Sequence, residues 1–176
     1  QDSSSAASDV YKRQNWDGDI VYQSKNVSEH VKIAYLLLEK GLAYKCYCTV
    51  EDLKKEKEEA LKKKITYKNI GKCRNIKKPL NDKFVLRIKV PYTGLLKLQD
   101  RIQGSVTVDY NNLEDFIILR SDNTPTYMLA VVVDDYYMNI NDIIRGDDHL
   151  TNTFKQIIIY NAVSYTHLRA HETSNH

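Results

Sequence analysis

The stretch LRSDNTPTYMLAVVVDDYYMNINDIIRGDDHLTNTFKQIII, from Leu119 to Ile159, decides how the rest of the chain is read. Tyr127 to Tyr136 is apolar enough for a buried helix, although Val131, Val132 and Val133 are β-branched and the paired acids Asp134-Asp135 fall near its end. Ile140 to Arg145 predicts a short parallel strand, and Thr151 to Ala162 a second helix. Helix–strand–helix is the rhythm of a doubly wound sheet. The second apolar run closes on Arg145-Gly146-Asp147-Asp148-His149. A polar cluster directly after a buried strand is where an open α/β sheet keeps its ligand site.

Upstream, Asn26-x-x-Glu29 predicts a capping pair for a helix over 27–40, with Val31, Ala34, Tyr35 and Leu38 at helical spacing and Gly41 as its stop. Residues 42–48 predict a short strand carrying Cys46 and Cys48, and 50–63 a Lys/Glu-rich helix. Phe84, Leu86, Ile88 and Val90 alternate with Val85, Arg87 and Lys89, a half-buried strand ended by Pro91. Gly94, Gly104 and Asn111-Asn112 punctuate further strands near 95–98, 105–109 and 116–120. Strands this close in sequence pair antiparallel. The expected organisation is an α/β unit at each end with an antiparallel module between them.

The chain has 176 residues, 42% apolar and 28% charged, enough for one domain or a small domain inserted in another. No apolar run approaches the roughly 18 residues that span a bilayer, so a cytoplasmic chain with no membrane partner is expected. Net charge is +3 but unevenly spread. Lys54 to Lys78 holds 11 Lys/Arg against 3 Glu, whereas Asp100 to Asp148 holds 3 Arg against 10 Asp/Glu. A basic block suits a polyanion such as RNA. It equally suits a solvated helix face laced with pairs such as Glu51–Lys55 and Glu58–Lys62.

Residues 1–14 lack a periodic apolar pattern, and 164–176 follow the expected helix with no stop signal while carrying His167, His171 and His176. Both are read as translated adapter or vector sequence outside the fold, and no metal site is assigned to the histidines.

Between these ends the order of motifs resembles the catalytic domain of bacterial glutamyl-tRNA synthetases. The resemblance is carried by Asn15-Trp16-Asp17-Gly18-Asp19 with Tyr22-Gln23-Ser24, Gly41-Leu42-Ala43-Tyr44, Arg87-Ile88-Lys89-Val90-Pro91 and Asp100-x-x-x-Gly104. It continues through Ser121-Asp122, Thr126-Tyr127, Val131-Val132-Val133-Asp134-Asp135 and Arg145-Gly146-Asp147-Asp148-His149-Leu150. It implies an α/β fold: a partial Rossmann-type class I synthetase core holding a small antiparallel α+β acceptor-binding insertion. Residues 15–44 would end the first half of the core, 45–120 form the insertion and 121–163 the second half. The implied reaction is activation of L-glutamate by ATP, as its Mg2+ complex, then transfer to the 3' end of tRNA-Glu by a monomeric enzyme. Without a covalent intermediate, catalysis there is orientation plus charge stabilisation.

Carried over by motif, Tyr127, Val131 and Arg145 fall where that family lines its glutamate pocket, Arg145 as the clamp on the side-chain carboxylate. Tyr127 could equally be a core aromatic, and Arg145 a structural partner of Asp147, Asp148, Asp134 or Asp135. Relatives often carry Asn at the place of Val131. Asp148 and His149 match the ATP-contacting segment, or else form an ordinary turn capped by Thr151 or Asn152. Asp134-Asp135 is read as structural, since one helix end supplies too little of an octahedral magnesium shell.

Cys46-x-Cys48 is followed after 24 residues by Cys73. Some family members bind structural zinc with Cys-x-Cys…Cys-x-His, but here Asn75 holds the fourth place. Tetrahedral zinc wants four N or S ligands, so the trio could take zinc with water or Tyr67, or be small buried hydrophobes. Lys62, Lys63, Lys64, Lys72 and Arg74 lie in this insertion and are expected to face tRNA. The family's His-Ile-Gly-His-type and Lys-x-Ser-Lys-type ATP signatures do not occur in the chain. It is therefore expected not to aminoacylate alone. Two other readings stay open: the paralogue that glutamylates a modified base in tRNA for aspartate, and a non-catalytic RNA-binding module.

Overall fold

Ile33, Ala34 and Leu37 put one apolar face on residues Val27–Glu39, which form helix α1. Gly41 stops it at φ +72°, its N–H bonding to the Leu38 carbonyl while Leu42 N–H reaches back to Leu37. This left-handed closure favours glycine. In this computed structural model residues 19–65, 67–69, 71–76, 83–146 and 149–172 are described, with side chains to residue 164.

The chain turns from α1 directly into strand β1 (Ala43–Cys46), which pairs antiparallel with β2 (Val85–Ile88) in the register Ala43↔Ile88 to Cys46↔Val85. β2 pairs on its other edge with β5 (Ile117–Leu119), across an irregularity at Leu86/Arg87, so the sheet order is β1-β2-β5. Helix α2 (Val50–Lys62) leaves the sheet behind a reciprocal cap. Asp52 N–H donates to Thr49 Oγ1 at 3.1 Å, and Thr49 N–H donates to the Asp52 carboxylate at 2.9 Å. Strands β3 (Leu95–Asp100) and β4 (Gly104–Asp109) form a separate hairpin. Asp100 Oδ1 accepts from Ile102 and Gln103 N–H at its tip.

Helix α3 (Tyr127–Tyr137) forms despite its valines because Leu129, Ala130, Val132 and Val133 are all buried. Packing then outweighs weak intrinsic propensity. Helix α4 (Leu150–Glu172) closes the fold. Ile33 and Leu37 of α1, Leu86 and Ile88 of β2, Ile118 and Leu119 of β5, Leu129 and Val133 of α3, and Ile159 and Val163 of α4 belong to one core. Each such aliphatic side chain contributes roughly 1.5–3 kcal/mol by leaving water. The three-stranded sheet and the three long-range helices therefore hold α3 and α4 rigidly against each other.

Three expectations need correction. Asn26 makes no side-chain cap; its Nδ2 donates instead to Asp134 Oδ1 at 3.1 Å. Residues 140–145 form no strand, with Ile143 57% and Ile144 98% exposed. All described strand pairings are antiparallel, so this segment has no parallel neighbour to join and its apolar pattern stays at the surface. The last helix runs to Glu172 rather than ending near Ala162, since neither Gly nor Pro interrupts it. Among the described residues no helix is long and apolar enough to cross a membrane.

Candidate functional site

Spacing of four places Tyr127, Val131 and Asp135 along one face of α3. Tyr127 is 58% exposed, so it is not a core aromatic; Val131 is half-buried. Arg145, also half-buried, donates from Nη1 to Gln156 Oε1 on α4 at 2.7 Å. Burial pushes the Asp135 carboxyl above its ordinary value, against the lowering influence of Arg145. That influence puts the guanidinium charge within electrostatic reach of the C-terminal end of the same α3 face. Arg145 thus lies near the Asp135 end of this face, while Tyr127 opens the helix about two turns away. Among the described residues Arg145 makes no ion pair, so the structural salt bridge weighed from sequence is absent there. His149 is exposed at the entry to α4, where its N–H donates to the Gly146 carbonyl at 3.2 Å. Asp147 and Asp148 lie outside the described residues.

Behind this face, Asp134 is structural, as its sequence suggested. It accepts from His30 Nε2 at 2.8 Å, Asn26 Nδ2 at 3.1 Å and Gln23 Nε2 at 3.2 Å. Burial alone would raise its pKa, but these three bonds, His30 foremost, outweigh it and hold the carboxyl below its ordinary value.

Strand β1, the residues just after it and the Cys73 turn carry a second cluster. The Sγ atoms of Cys46, Cys48 and Cys73 all lie within 4.8 Å of one another, with Cys48 and Cys73 3.7 Å apart. Burial, then the neighbouring thiols, push the Cys48 thiol up to about 12. Tyr67 is turned away, donating to Glu56 Oε2 at 3.1 Å, and Asn75 is exposed. Three soft donors therefore converge, and among the described residues no fourth His, Cys, Asp or Glu joins them. A cavity of about 650 Å³ opens beside them, lined by Cys48, Glu56, Lys63, Tyr67 and Lys72 among others.

The loop bearing Cys73 is tied down by Asp115, which is 1% exposed. Its carboxylate accepts from Tyr44 Oη at 2.9 Å, Arg74 Nε at 2.7 Å and Val90 N–H at 2.9 Å. Gly71, at φ +75°, permits the close approach: a Cβ there would meet Asp115 Oδ2 at 2.6 Å. Arg74 is thereby committed inward, its guanidinium 4.2 Å over the Tyr92 ring. Lys72 pairs with Glu56 at 2.5 Å. Lys62, Lys63 and Lys64 remain exposed at the end of α2. Asp115 and Gln156 had no distinguishing sequence signal, the first being one acid among ten in its half and the second one polar residue in an amphipathic helix.

An antiparallel sheet, a packed α3–α4 junction and a basic segment around the thiol cluster together make a mixed α/β fold. A family model described as tRNA synthetases class I (E and Q), catalytic domain, matches residues 10–176. The chain belongs to that family. Its match takes in 164–176 and 10–14. The glutamate–tRNA ligase 1 of Ehrlichia canis is 49% identical over 152 residues, covering 86% of this chain and 32% of the relative. That of Lawsonia intracellularis is 48% identical over 151 residues, with 86% and 32% covered. The chain thus spans about a third of the length of the curated relatives it matches. Among solved structures, the glutamate–tRNA synthetase of Elizabethkingia anophelis matches with a TM-score of 0.72 at 25% identity, over 81% of this chain and 32% of that one. A glutamate tRNA ligase from Elizabethkingia meningosepticum, in complex with its amino acid, matches with a TM-score of 0.74 at 24% identity, over 84% and 33%, and speaks for the fold alone. The class I α/β architecture expected from sequence is that of these neighbours.

Proposed function

We propose that this chain is the central part of a glutamate–tRNA ligase, an enzyme that activates L-glutamate with ATP and transfers it to the 3' end of tRNA-Glu. The observation that carries the reading is Arg145: a guanidinium held at the α3–α4 junction by a neutral acceptor, beside the face that presents Tyr127 and Val131. A carboxylate side chain is the natural partner of that fork, two parallel N–H···O bonds giving both charge and orientation. Val131 offers only apolar contact to the substrate's methylenes. His149, at the entry to α4, and Asp148, its neighbour in sequence, would meet ATP, whose Mg2+ travels with it as part of the substrate. Residues 15–44 and 121–163 would be the two core segments and 45–120 the acceptor-binding insertion.

In that insertion Cys46, Cys48 and Cys73 fit a soft divalent ion as three of its four ligands, water supplying the fourth. Zinc there would be structural, pinning β1 to the Cys73 turn. Lys62, Lys63 and Lys64 would contact tRNA phosphates, with Lys72 and Arg74 shaping the surface beneath. The enzyme would work in the cytoplasm as a monomer.

The test is titration of the 176-residue chain with L-glutamate, L-glutamine and D-glutamate by calorimetry. Binding of L-glutamate well above the other two, lost in Arg145→Ala, is expected. Equal binding of glutamate and glutamine, or no effect of Arg145→Ala, would remove the glutamate assignment. ATP–pyrophosphate exchange by the chain alone is expected to be absent.

A further inference from the structure

Gln156 is 6% exposed, on the buried side of α4. Its Oε1 accepts from Arg145 Nη1 at 2.7 Å. Its Nε2 is buried with no acceptor among the described residues. The orientation of this carboxamide is fixed by chemistry, because a guanidinium has donors only and must face the carbonyl oxygen. The folded chain gains little from such a residue for its own sake. A methionine or leucine would fill the same buried place on α4 without leaving a buried donor unpaired. Something other than packing selects a carbonyl there, and what it touches is Arg145.

We propose that Gln156 is a positioning residue for glutamate recognition: it fixes the Arg145 guanidinium with a neutral acceptor and adds no second negative charge beside Asp135 where the substrate carboxylate would bind. This rests on Arg145 being the glutamate clamp. A carboxylate in the place of Gln156 would orient the arginine equally well, but would cancel its charge. Asp135 already lies within electrostatic reach of Arg145. A second acid would give the junction a net negative charge and repel an anionic side chain. With Gln156, one of the five guanidinium N–H donors is spent on orientation and four remain for the ligand. The long arginine side chain is then ordered before the substrate arrives, and binding need not order it. Selectivity against glutamine follows, since a neutral carboxamide gains less from the guanidinium than a carboxylate does.

The experiment uses the 176-residue chain with Gln156→Met, which keeps volume and removes the acceptor, and Gln156→Glu, which keeps shape and adds charge. Circular dichroism melts establish that each variant folds. Side-chain ¹⁵N NMR of the Arg145 guanidinium reports orientation without any ligand, and calorimetric titration with L-glutamate and L-glutamine reports recognition. Restricted Nη rotation is expected in the parent and in Gln156→Glu, and averaged signals in Gln156→Met. Glutamate affinity should fall about 10-fold or more in Gln156→Met, the usual effect of losing a group that orients a ligand. It should fall further in Gln156→Glu, with glutamine less affected. Freely rotating Nη groups in the parent, or unchanged glutamate affinity in both variants while Arg145→Ala still loses it, would overturn the positioning role and leave the clamp standing. Glutamate binding that Arg145→Ala does not alter, undetectable binding included, would overturn the clamp and this inference together.

Discussion

His30 and Asp134 lie 104 positions apart and share a fully buried 2.8 Å hydrogen bond between α1 and α3. Asn26 and Gln23 add two more donors to the same carboxylate, so the segment entering α1 is anchored on the helix that carries Tyr127 and Val131. Asp134→Ala would leave the buried His30 Nε2 unpaired, at a cost of about 1–3 kcal/mol, while the exposed Gln23 and half-buried Asn26 can turn to water. The pH dependence has a definite sign. The folded carboxyl is held below its ordinary value, so its contribution is present above the unfolded pKa and is lost as pH falls through the folded one. Thermal melts of the parent and Asp134→Ala should differ most near neutrality and converge below about pH 4. A difference independent of pH would mean that packing, not the carboxylate, is what the substitution removes.

Asp115 plays the corresponding part around the Cys73 turn. It joins Tyr44, Arg74 and the Val90 amide, and its own carbonyl accepts from Arg87 Nη1 at 2.7 Å. Removing the carboxylate leaves Arg74 as a mostly buried, uncompensated cation, which costs about 3–5 kcal/mol. Asp115→Ala should therefore loosen the Cys73 turn first. Hydrogen exchange is expected to speed up in β1 and residues 71–76 while the α1–α3–α4 core keeps its protection. Uniform loss of protection would mean that insertion and core unfold as one unit.

Much of this frame was legible in the sequence because it is local. The helical spacing of Val31, Ala34, Tyr35 and Leu38 and the stop at Gly41 predict α1, although the buried face centres on Ile33, Ala34 and Leu37, and alternation around Leu86 and Ile88 predicts β2. The Cys-x-Cys…Cys spacing also pointed to one cluster, which the three thiols form. What escaped was set by distant partners. Asn26 has the sequence signature of a helix cap, but a carboxylate 108 positions away competes for its amide and holds it. Ile140 to Arg145 has the pattern of a buried strand, and a strand exists only where a neighbouring strand offers its backbone. Motif order singled out Arg145, whereas its partner Gln156 was not legible, because nothing local distinguishes a buried amide from a solvated one.

Three converging thiols make a metal prediction. Zinc should bind one per chain and raise the melting temperature, and Cys73→Ser should abolish both effects. Cobalt substituted for zinc should show sulfur-to-metal charge transfer with three thiolates rather than four. Each thiol must lose its proton to bind, and Cys48's is pushed up to about 12 by burial and by its neighbours. Affinity should therefore climb as pH rises across the neutral range. A four-thiolate spectrum would indicate metal shared between two chains.

The basic block separates into residues of different kinds, and this gives the prediction for RNA. Lys62, Lys63 and Lys64 are exposed, whereas Arg74 is bound to Asp115 and stacked on Tyr92. A lysine that neutralises a phosphate releases a counterion, so replacing it by alanine should reduce the salt slope of tRNA binding by about 1. The triple variant Lys62→Ala, Lys63→Ala, Lys64→Ala should thus weaken tRNA binding at low salt and flatten its salt dependence, with no change in melting temperature. Arg74→Ala should do the reverse. Its charge is already balanced by Asp115, so the salt slope should barely move while the insertion loses stability. Filter binding across a salt series, paired with melts of both variants, checks this. A flattened slope in Arg74→Ala with unchanged stability would mean that Asp115 yields its partner to the phosphate backbone when tRNA binds.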